Sequence, residues 1–196
     1  MDTSATLFPV FLKLAGRTVV VVGGGTVATS KLRALLEAGA RVRVVAPEVT
    51  EAIRDMGVET LERAFQASDL DDASLVVAAA PPAVNRVVAD AAAARRLFVN
   101  AVDDPANATV YLGGVVRRGG VTLAISTDGR APALAGLIRE ALEALLPEEA
   151  EVARWLHAAG KERTAWMADG VPMDRRRPRL LDALVDLYAP PDEPDQ

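Results

Sequence analysis

The N-terminal half of the chain predicts an α/β fold built on a doubly wound parallel sheet. Three observations predict it. Thr18–Val22 is an unbroken β-branched run, the pattern of a central parallel strand covered on both faces. It runs straight into Gly23-Gly24-Gly25, where the backbone must turn hard. Strand-like and helix-like stretches then alternate to about residue 108, which calls for right-handed crossovers.

Each element has its own signal. Ala28, Leu32, Leu35 and Leu36 fall at helical spacing, and Gly39 stands where a C-terminal cap belongs. Arg41–Ala46 is a second strand. Glu48–Met56 predicts a helix ended by Gly57, with a weaker strand over Val58–Leu61. Ser74–Ala79 is another buried strand. Val84, Val87, Val88, Ala91 and Ala92 give the next helical stripe, and Leu97–Val102 a further strand. Beyond residue 108 the pattern changes. Thr109–Val116, the polar Arg117-Arg118-Gly119-Gly120 and Val121–Ser126 predict a hairpin. Leu134, Leu137, Ile138, Ala141, Leu142, Leu145 and Leu146 mark one long helical face that Pro147 stops. Residues 148–188 predict helix with a charged interruption over 174–179, and 189–196 a disordered tail.

Composition narrows the function. The chain has 196 residues, 51% hydrophobic and 25% charged, which is globular rather than disordered. A net charge of −5 argues against a general nucleic-acid binder. With no cysteine, disulfides, thiolate zinc sites and cysteine-ligated iron–sulfur clusters are excluded. That absence also fits a cytoplasmic protein. The start, MDTSATLFPVFLKLAG, has Asp2 in place of a basic residue and is broken by Pro9, so no signal peptide is expected. No apolar stretch reaches the ~18 residues of a membrane span.

Gly23-Gly24-Gly25-Thr26-Val27-Ala28 fits G-x-G-x-x-A, the dinucleotide-binding fingerprint of a Rossmann-type sheet. Gly23 allows the tight turn and Gly25 lets a pyrophosphate approach the backbone. Ala28 lets helix and strand pack closely. Free N–H groups and the helix dipole then hold the anion. The pattern lies between strand and amphipathic helix, its confirming context. The plainer alternative is a glycine turn that binds no nucleotide. The fingerprint also expects an acidic residue at the end of the second strand. Here that strand ends Ala46-Pro47-Glu48, so Glu48 either holds ribose or only favours the next helix start. No arginine follows to receive a 2′-phosphate, which favours NAD over NADP.

Two further stretches carry chemistry. Phe98–Pro105, FVNAVDDP, closes the fifth strand and puts Asn100, Asp103 and Asp104 where ligands sit in open α/β sheets. A carboxylate there is a general base or a cation holder, unless Asp-Asp-Pro merely opens a turn. Ser126-Thr127-Asp128-Gly129-Arg130 precedes the long helix, either to receive a carboxylate or only to cap.

Together VVGGGTVATSK, LLEAGARVRVVAPE, FVNAVDDP and ISTDGRAPALAGLIREALEALLP resemble the precorrin-2 dehydrogenase family, the dehydrogenase–ferrochelatase module of siroheme synthases. The resemblance covers residues 6–150 well and the helical end less well. It implies a Rossmann domain over 1–108 and a dimerisation region, hairpin plus long helix, over 109–147. A small C-terminal helical domain over 148–188 and the tail 189–196 follow. It implies oxidation of precorrin-2 to sirohydrochlorin with NAD⁺, for siroheme or cobalamin, with insertion of Fe²⁺ in some members. It also implies a homodimer with its active site in a cleft. No nucleic acid or membrane partner is expected, and no resident metal. No methyltransferase domain is expected either, so the chain should not make precorrin-2 itself.

The resemblance places cofactor contacts on Gly23, Gly24, Gly25, Thr26 and Val27, on Ala46, Pro47 and Glu48, on Ala79, and on Asn100. It places the aspartate needed for chemistry on Asp103, and the turn near the tetrapyrrole on Ser126 and Thr127. The substrate's carboxylates need cations, for which Arg117, Arg118 and Arg130 are candidates, as are Arg175–Arg177 and Arg179. An ordinary solvated basic face is the plainer reading of the last cluster. His157, the single histidine, is expected to pack or face solvent. There are departures. Ala78-Ala79-Ala80-Pro81-Pro82 stands where the family usually carries a threonine followed by polar residues. Tyr111 stands where a phenylalanine is common, and Thr127 where some members have serine. The chief alternative is a non-catalytic NAD-sensing module. A different small-molecule dehydrogenase and a chelatase that has lost dehydrogenation are weaker rivals.

Overall fold

The structure, a computed structural model, describes residues 6–188; the expected tail 189–196 lies outside them. The described residues form two compact units, divided between Leu112 and Gly113.

In the first unit, β1 (Thr18–Val22), β2 (Arg41–Ala46), β3 (Glu59–Glu62), β4 (Leu75–Ala78) and β5 (Val99–Ala101) form one parallel sheet in the order β3-β2-β1-β4-β5. Helices α1 (Thr26–Glu37), α2 (Glu51–Asp55) and α3 (Pro82–Ala94), with a 3₁₀ turn at Ala67–Leu70, make the crossovers. The order reverses between β1 and β4, and Val22 pairs with both Val45 and Ala78. A crevice therefore opens beyond the end of β1.

The valine run explains the layers. Val19 and Val21 join Val44, Val77, Ala28, Leu32 and Ile53 on one face. Val20 and Val22 join Val45, Val76, Val88 and Ala92 on the other. All five residues of β1 are buried, and the four valines fill both faces of the sheet. Each such valine contributes about 1.5–3 kcal/mol of burial.

β4 and β5 are shorter than the expected Ser74–Ala79 and Leu97–Val102, β3 lies one residue later than Val58–Leu61, and three further boundaries differ. Helix α2 begins at Glu51 rather than Glu48, because the chain bends at Pro47 and Glu48 and Thr50 is extended: the Thr50 N–H donates to the Gly24 carbonyl at 2.9 Å. Residues 109 and 110 do not start the hairpin. Their N–H groups donate to the Val99 carbonyl at 2.8 and 3.1 Å, which binds them to β5. The break in the C-terminal helices falls at 169–172, where Gly170 has φ +62°, and not at the arginine cluster.

In the second unit, β6 (Gly114–Arg118) and β7 (Val121–Ile125) form an antiparallel hairpin. Its turn is Gly119-Gly120 alone, with φ +54° and +85°, the sign that a type I′ turn requires. Helix α4 (Pro132–Leu145) starts on Pro132 and stops before Pro147. Arg118 Nη1 donates to the carbonyls of Leu146 and Pro147 at 2.7 and 3.1 Å, so this candidate arginine satisfies a helix end. Helices α5 (Glu149–Ala168) and α6 (Met173–Tyr188) follow, with 174–179 and Pro178 inside α6.

One buried charge ties β3 to the turn that follows it. Asp69 is buried and accepts from Arg63 Nη1 at 2.9 Å and from the Gln66 N–H at 2.8 Å. The Arg63 hydrogen bond holds its carboxyl below the ordinary 3.8. A carboxylate with a depressed folded pKa contributes stability above its unfolded pKa and loses it as pH falls through the folded value. Urea unfolding should therefore show stability falling as pH drops below about 4. Asp69→Ala should lower stability at neutral pH by about 1–3 kcal/mol and flatten that acid limb.

Candidate functional site

Three glycines in a row have three different reasons to be there. Gly23 has φ +126°, and a Cβ on it would lie 2.2 Å from the Ala79 carbonyl oxygen. A Cβ on Gly24 would lie 2.0 Å from the Glu48 carbonyl oxygen. These two glycines let β1, β2 and β4 converge. Gly25 differs: a Cβ there meets nothing within 4 Å. Its missing side chain leaves open space in front of α1.

That space faces an uncapped helix. Gly25 is the N-cap of α1, no side chain caps it, and the first turn holds no acid. The first N–H groups of a 12-residue helix and its dipole are thus free to hold an anion. Thr26 and Val27 are exposed there, and Ala28 is fully buried against the sheet. At the end of β2, Ala46 is buried while Pro47 and Glu48 are exposed. Glu48 stands beside the turn because its own carbonyl packs on Gly24.

The crevice at the reversal point has a volume of about 790 Å³. Val27 and Ala79 line it from the glycine turn and the end of β4. Asn85 and Arg86 line it from α3, and Val102, Asp103, Asp104 and Asn107 from the loop after β5. Asn85 is buried and its Oδ1 accepts the Ala80 N–H at 3.0 Å, which fixes the loop between β4 and α3. The two aspartates differ. Asp104 accepts from Asn107 Nδ2 at 2.7 Å and is part of the turn. Asp103 has no hydrogen bond or ion pair among the described residues, and its φ is +55°. A non-glycine residue in the left-handed region stores strain, and such residues cluster at functional sites. An exposed carboxylate without a partner can receive a proton.

Asn100 lies elsewhere. It is buried in β5, outside the crevice lining, and its Nδ2 donates to the Val110 carbonyl at 2.9 Å. Its Oδ1 is buried without a partner, an acceptor left over for water or ligand. The remaining candidates belong to the second unit. Ser126 Oγ accepts the Asp128 N–H and Thr127 Oγ1 the Ala131 N–H, each at 3.2 Å, so both hydroxyls support the approach to α4. Arg130 pairs with Asp128 at 3.1 Å, and Arg117 is exposed on β6. His157 is exposed on α5, and among the described residues no group of three His, Cys, Asp or Glu side chains could hold a metal. Sequence reasoning missed Asn85, Arg86 and Asn107. Only the strand-end rule, applied to the first turns of α3, could have pointed to them.

Residues 10–114 match the NAD_binding_7 family, described as NAD(P)-binding. The chain belongs to this family. Residues 118–145 of this NAD(P)-binding chain match the sirohaem biosynthesis protein central family. A siroheme synthase of Pseudomonas entomophila (strain L48) is 48% identical over 144 residues, which are 71% of this chain and 31% of that protein. A siroheme synthase of Citrobacter koseri is 39% identical over 174 residues, 86% of this chain and 38% of that protein. The chain thus spans about a third of the length of the curated relatives it matches. Among solved structures, "SirC, precorrin-2 dehydrogenase" aligns with TM-score 0.71 and 28% identity over 93% of this chain and 92% of its own. It shares the Rossmann-type sheet, the hairpin and the C-terminal helices.

A dinucleotide fits the glycine turn by two structural observations, the open space at Gly25 and the uncapped start of α1. Gly25→Asp should therefore fold with an unchanged melting temperature yet bind NAD⁺ at least about tenfold more weakly, a loss of ~1.4 kcal/mol by calorimetry. Gly23→Ala and Gly24→Ala should instead lower the melting temperature, because each new Cβ meets backbone.

Proposed function

We propose that the chain is an NAD-dependent precorrin-2 dehydrogenase that makes sirohydrochlorin for siroheme or cobalamin. One observation carries the reading. A single crevice joins Val27 of the dinucleotide turn to Asp103, a strained aspartate with no partner among the described residues. The likeness to SirC over nearly the whole of both chains supports it, as do the siroheme synthase relatives.

Bound NAD⁺ supplies a hydride acceptor at nicotinamide C4, so that precorrin-2 and NAD⁺ give sirohydrochlorin, NADH and one proton. The chain's residues do the rest. Thr26 and Val27 offer their backbone N–H groups to the pyrophosphate, with Gly25 leaving room. Glu48 receives ribose hydroxyls, and with no arginine following it the site prefers NAD to NADP. Ala79, where a threonine would give a side-chain contact, offers only a small apolar wall. Asn100, buried next to the crevice loop, holds the end of β5 through the Val110 carbonyl and keeps its Oδ1 as a spare acceptor near the cofactor-binding edge. Asp103 takes the proton that the macrocycle loses as its conjugation extends. Ser126, Thr127, Arg117 and Arg130 are the further candidates to contact the substrate's carboxylates.

The chain works as a homodimer in the cytoplasm. Leu134, Leu137, Ile138 and Leu145 form an exposed apolar stripe along α4, with Leu145 78% exposed, and a second copy would cover it. Fe²⁺, where it is used, is a substrate that Asp103 guides to the macrocycle nitrogens. No helix among the described residues is long and apolar enough to cross a membrane.

The test is an anaerobic assay with enzymatically made precorrin-2 and NAD⁺, following NADH and sirohydrochlorin absorbance with and without Fe²⁺. The chain should form both in equal amounts. Asp103→Ala should keep its NAD⁺ affinity and lose about 10²–10⁴-fold in turnover, the usual contribution of a general base. NAD⁺ binding with no turnover would remove the enzyme reading and leave a sensing module.

A further inference from the structure

The crevice has a charge problem that the dehydrogenase reading does not solve by itself. Asp103 and Asp104 both line it, and precorrin-2 is a polycarboxylate. Anionic walls repel an anionic substrate. The glycine turn cannot help, because its N–H groups serve the cofactor's pyrophosphate.

Arg86 is the one cation among the lining residues. It stands on the second turn of α3, is exposed, and has no hydrogen bond or ion pair among the described residues. The contrast with its neighbours is instructive. Arg43, Arg54, Arg63 and Arg95, the paired arginines of the first unit, are each held by a carboxylate at 3.0 Å or less. Asp103 and Asp104 share the crevice with Arg86, yet neither is an ion-pair partner within 4.0 Å. The backbone that carries Arg86 is fixed: Asn85, the residue before it, is 2% exposed and bonded to the Ala80 N–H. A rigid base, a free guanidinium and an open crevice together make a receptor for a carboxylate.

We propose that Arg86 is the substrate anchor of the first unit and binds a peripheral carboxylate of the tetrapyrrole in bidentate fashion. This rests on the dehydrogenase reading above. The planar fork of arginine matches a carboxylate with two parallel hydrogen bonds, which fix orientation as well as position. One anchored arm on α3 restricts which edge of the macrocycle reaches Asp103, across the same crevice. The residue therefore governs substrate binding and leaves cofactor binding alone.

The test compares wild type, Arg86→Gln and Arg86→Lys in the anaerobic assay, together with equilibrium binding of NAD⁺ and of the product sirohydrochlorin. Arg86→Gln should raise KM for precorrin-2 and weaken sirohydrochlorin binding about tenfold or more, as expected for a lost charged hydrogen-bonded contact. Its kcat and NAD⁺ affinity should stay within about twofold. Arg86→Lys should recover part of the loss, since it keeps the charge but not the fork. An unchanged KM and sirohydrochlorin affinity in Arg86→Gln would overturn the proposal while wild-type turnover leaves the dehydrogenase reading intact. Weakened NAD⁺ binding with an unchanged KM would overturn it too, by moving Arg86 to the cofactor. If wild type neither turns over precorrin-2 nor binds sirohydrochlorin, both readings fall. The side chain is exposed, so melting temperatures of the three proteins should coincide.

Discussion

The site depends on two missing side chains. At the carboxyl end of β1 the chain turns between the ends of β2 and β4, and no room exists there for a Cβ on Gly23 or Gly24. One backbone group of each is tied to β2 or the loop after it: the Gly23 N–H donates to the Val45 carbonyl, and the Gly24 carbonyl accepts from the Thr50 N–H. The three strand ends are therefore locked into one edge. That edge fixes where α1 begins, and with it where the free N–H groups point. It also fixes the Glu48 backbone, whose carbonyl touches Gly24, and the end of β4, whose Ala79 lines the crevice.

Strain and partnering then divide the work among similar residues. Asp104 closes its own turn through Asn107, and Asp69 is spent on Arg63 and the Gln66 N–H. Asp103 is held in the left-handed region with its carboxylate unengaged. The same sorting applies to the arginines. Arg118 satisfies the end of α4, and Arg130 is paired two residues away, whereas Arg86 is left without a partner beside the crevice. Asp103 and Arg86 break no existing contact when they meet a ligand in the crevice they line.

Much of this was legible in the sequence, for identifiable reasons. The valine run allowed only a buried strand, and β1 and β2 begin and end where the pattern says. The G-x-G-x-x-A spacing carries its own mechanism, so the turn could be read without a structure. Weaker elements were set by tertiary contacts that leave no local trace. The start of α2 depends on Thr50 reaching Gly24. The hairpin's start depends on Thr109 and Val110 returning to β5. The arginine cluster reads as a break but continues as helix, because Gly170 and Pro172 end the preceding helix first. Asn100 was legible as a strand-end residue, but its burial in β5 and its bond to the Val110 carbonyl left no trace in the sequence. Arg86 carried no motif at all; only the folded crevice puts it beside Asp103.

On the proposed function, one crevice at the sheet's reversal point brings a dinucleotide and a tetrapyrrole together. The most direct test is a crystal structure of the chain with NAD⁺ and sirohydrochlorin bound. The account predicts pyrophosphate oxygens at about 2.7–3.2 Å from the N–H groups of Thr26 and Val27, and the macrocycle edge against Asp103. A dinucleotide bound away from the glycine turn, or a macrocycle that leaves the Asp103 crevice empty, would contradict it.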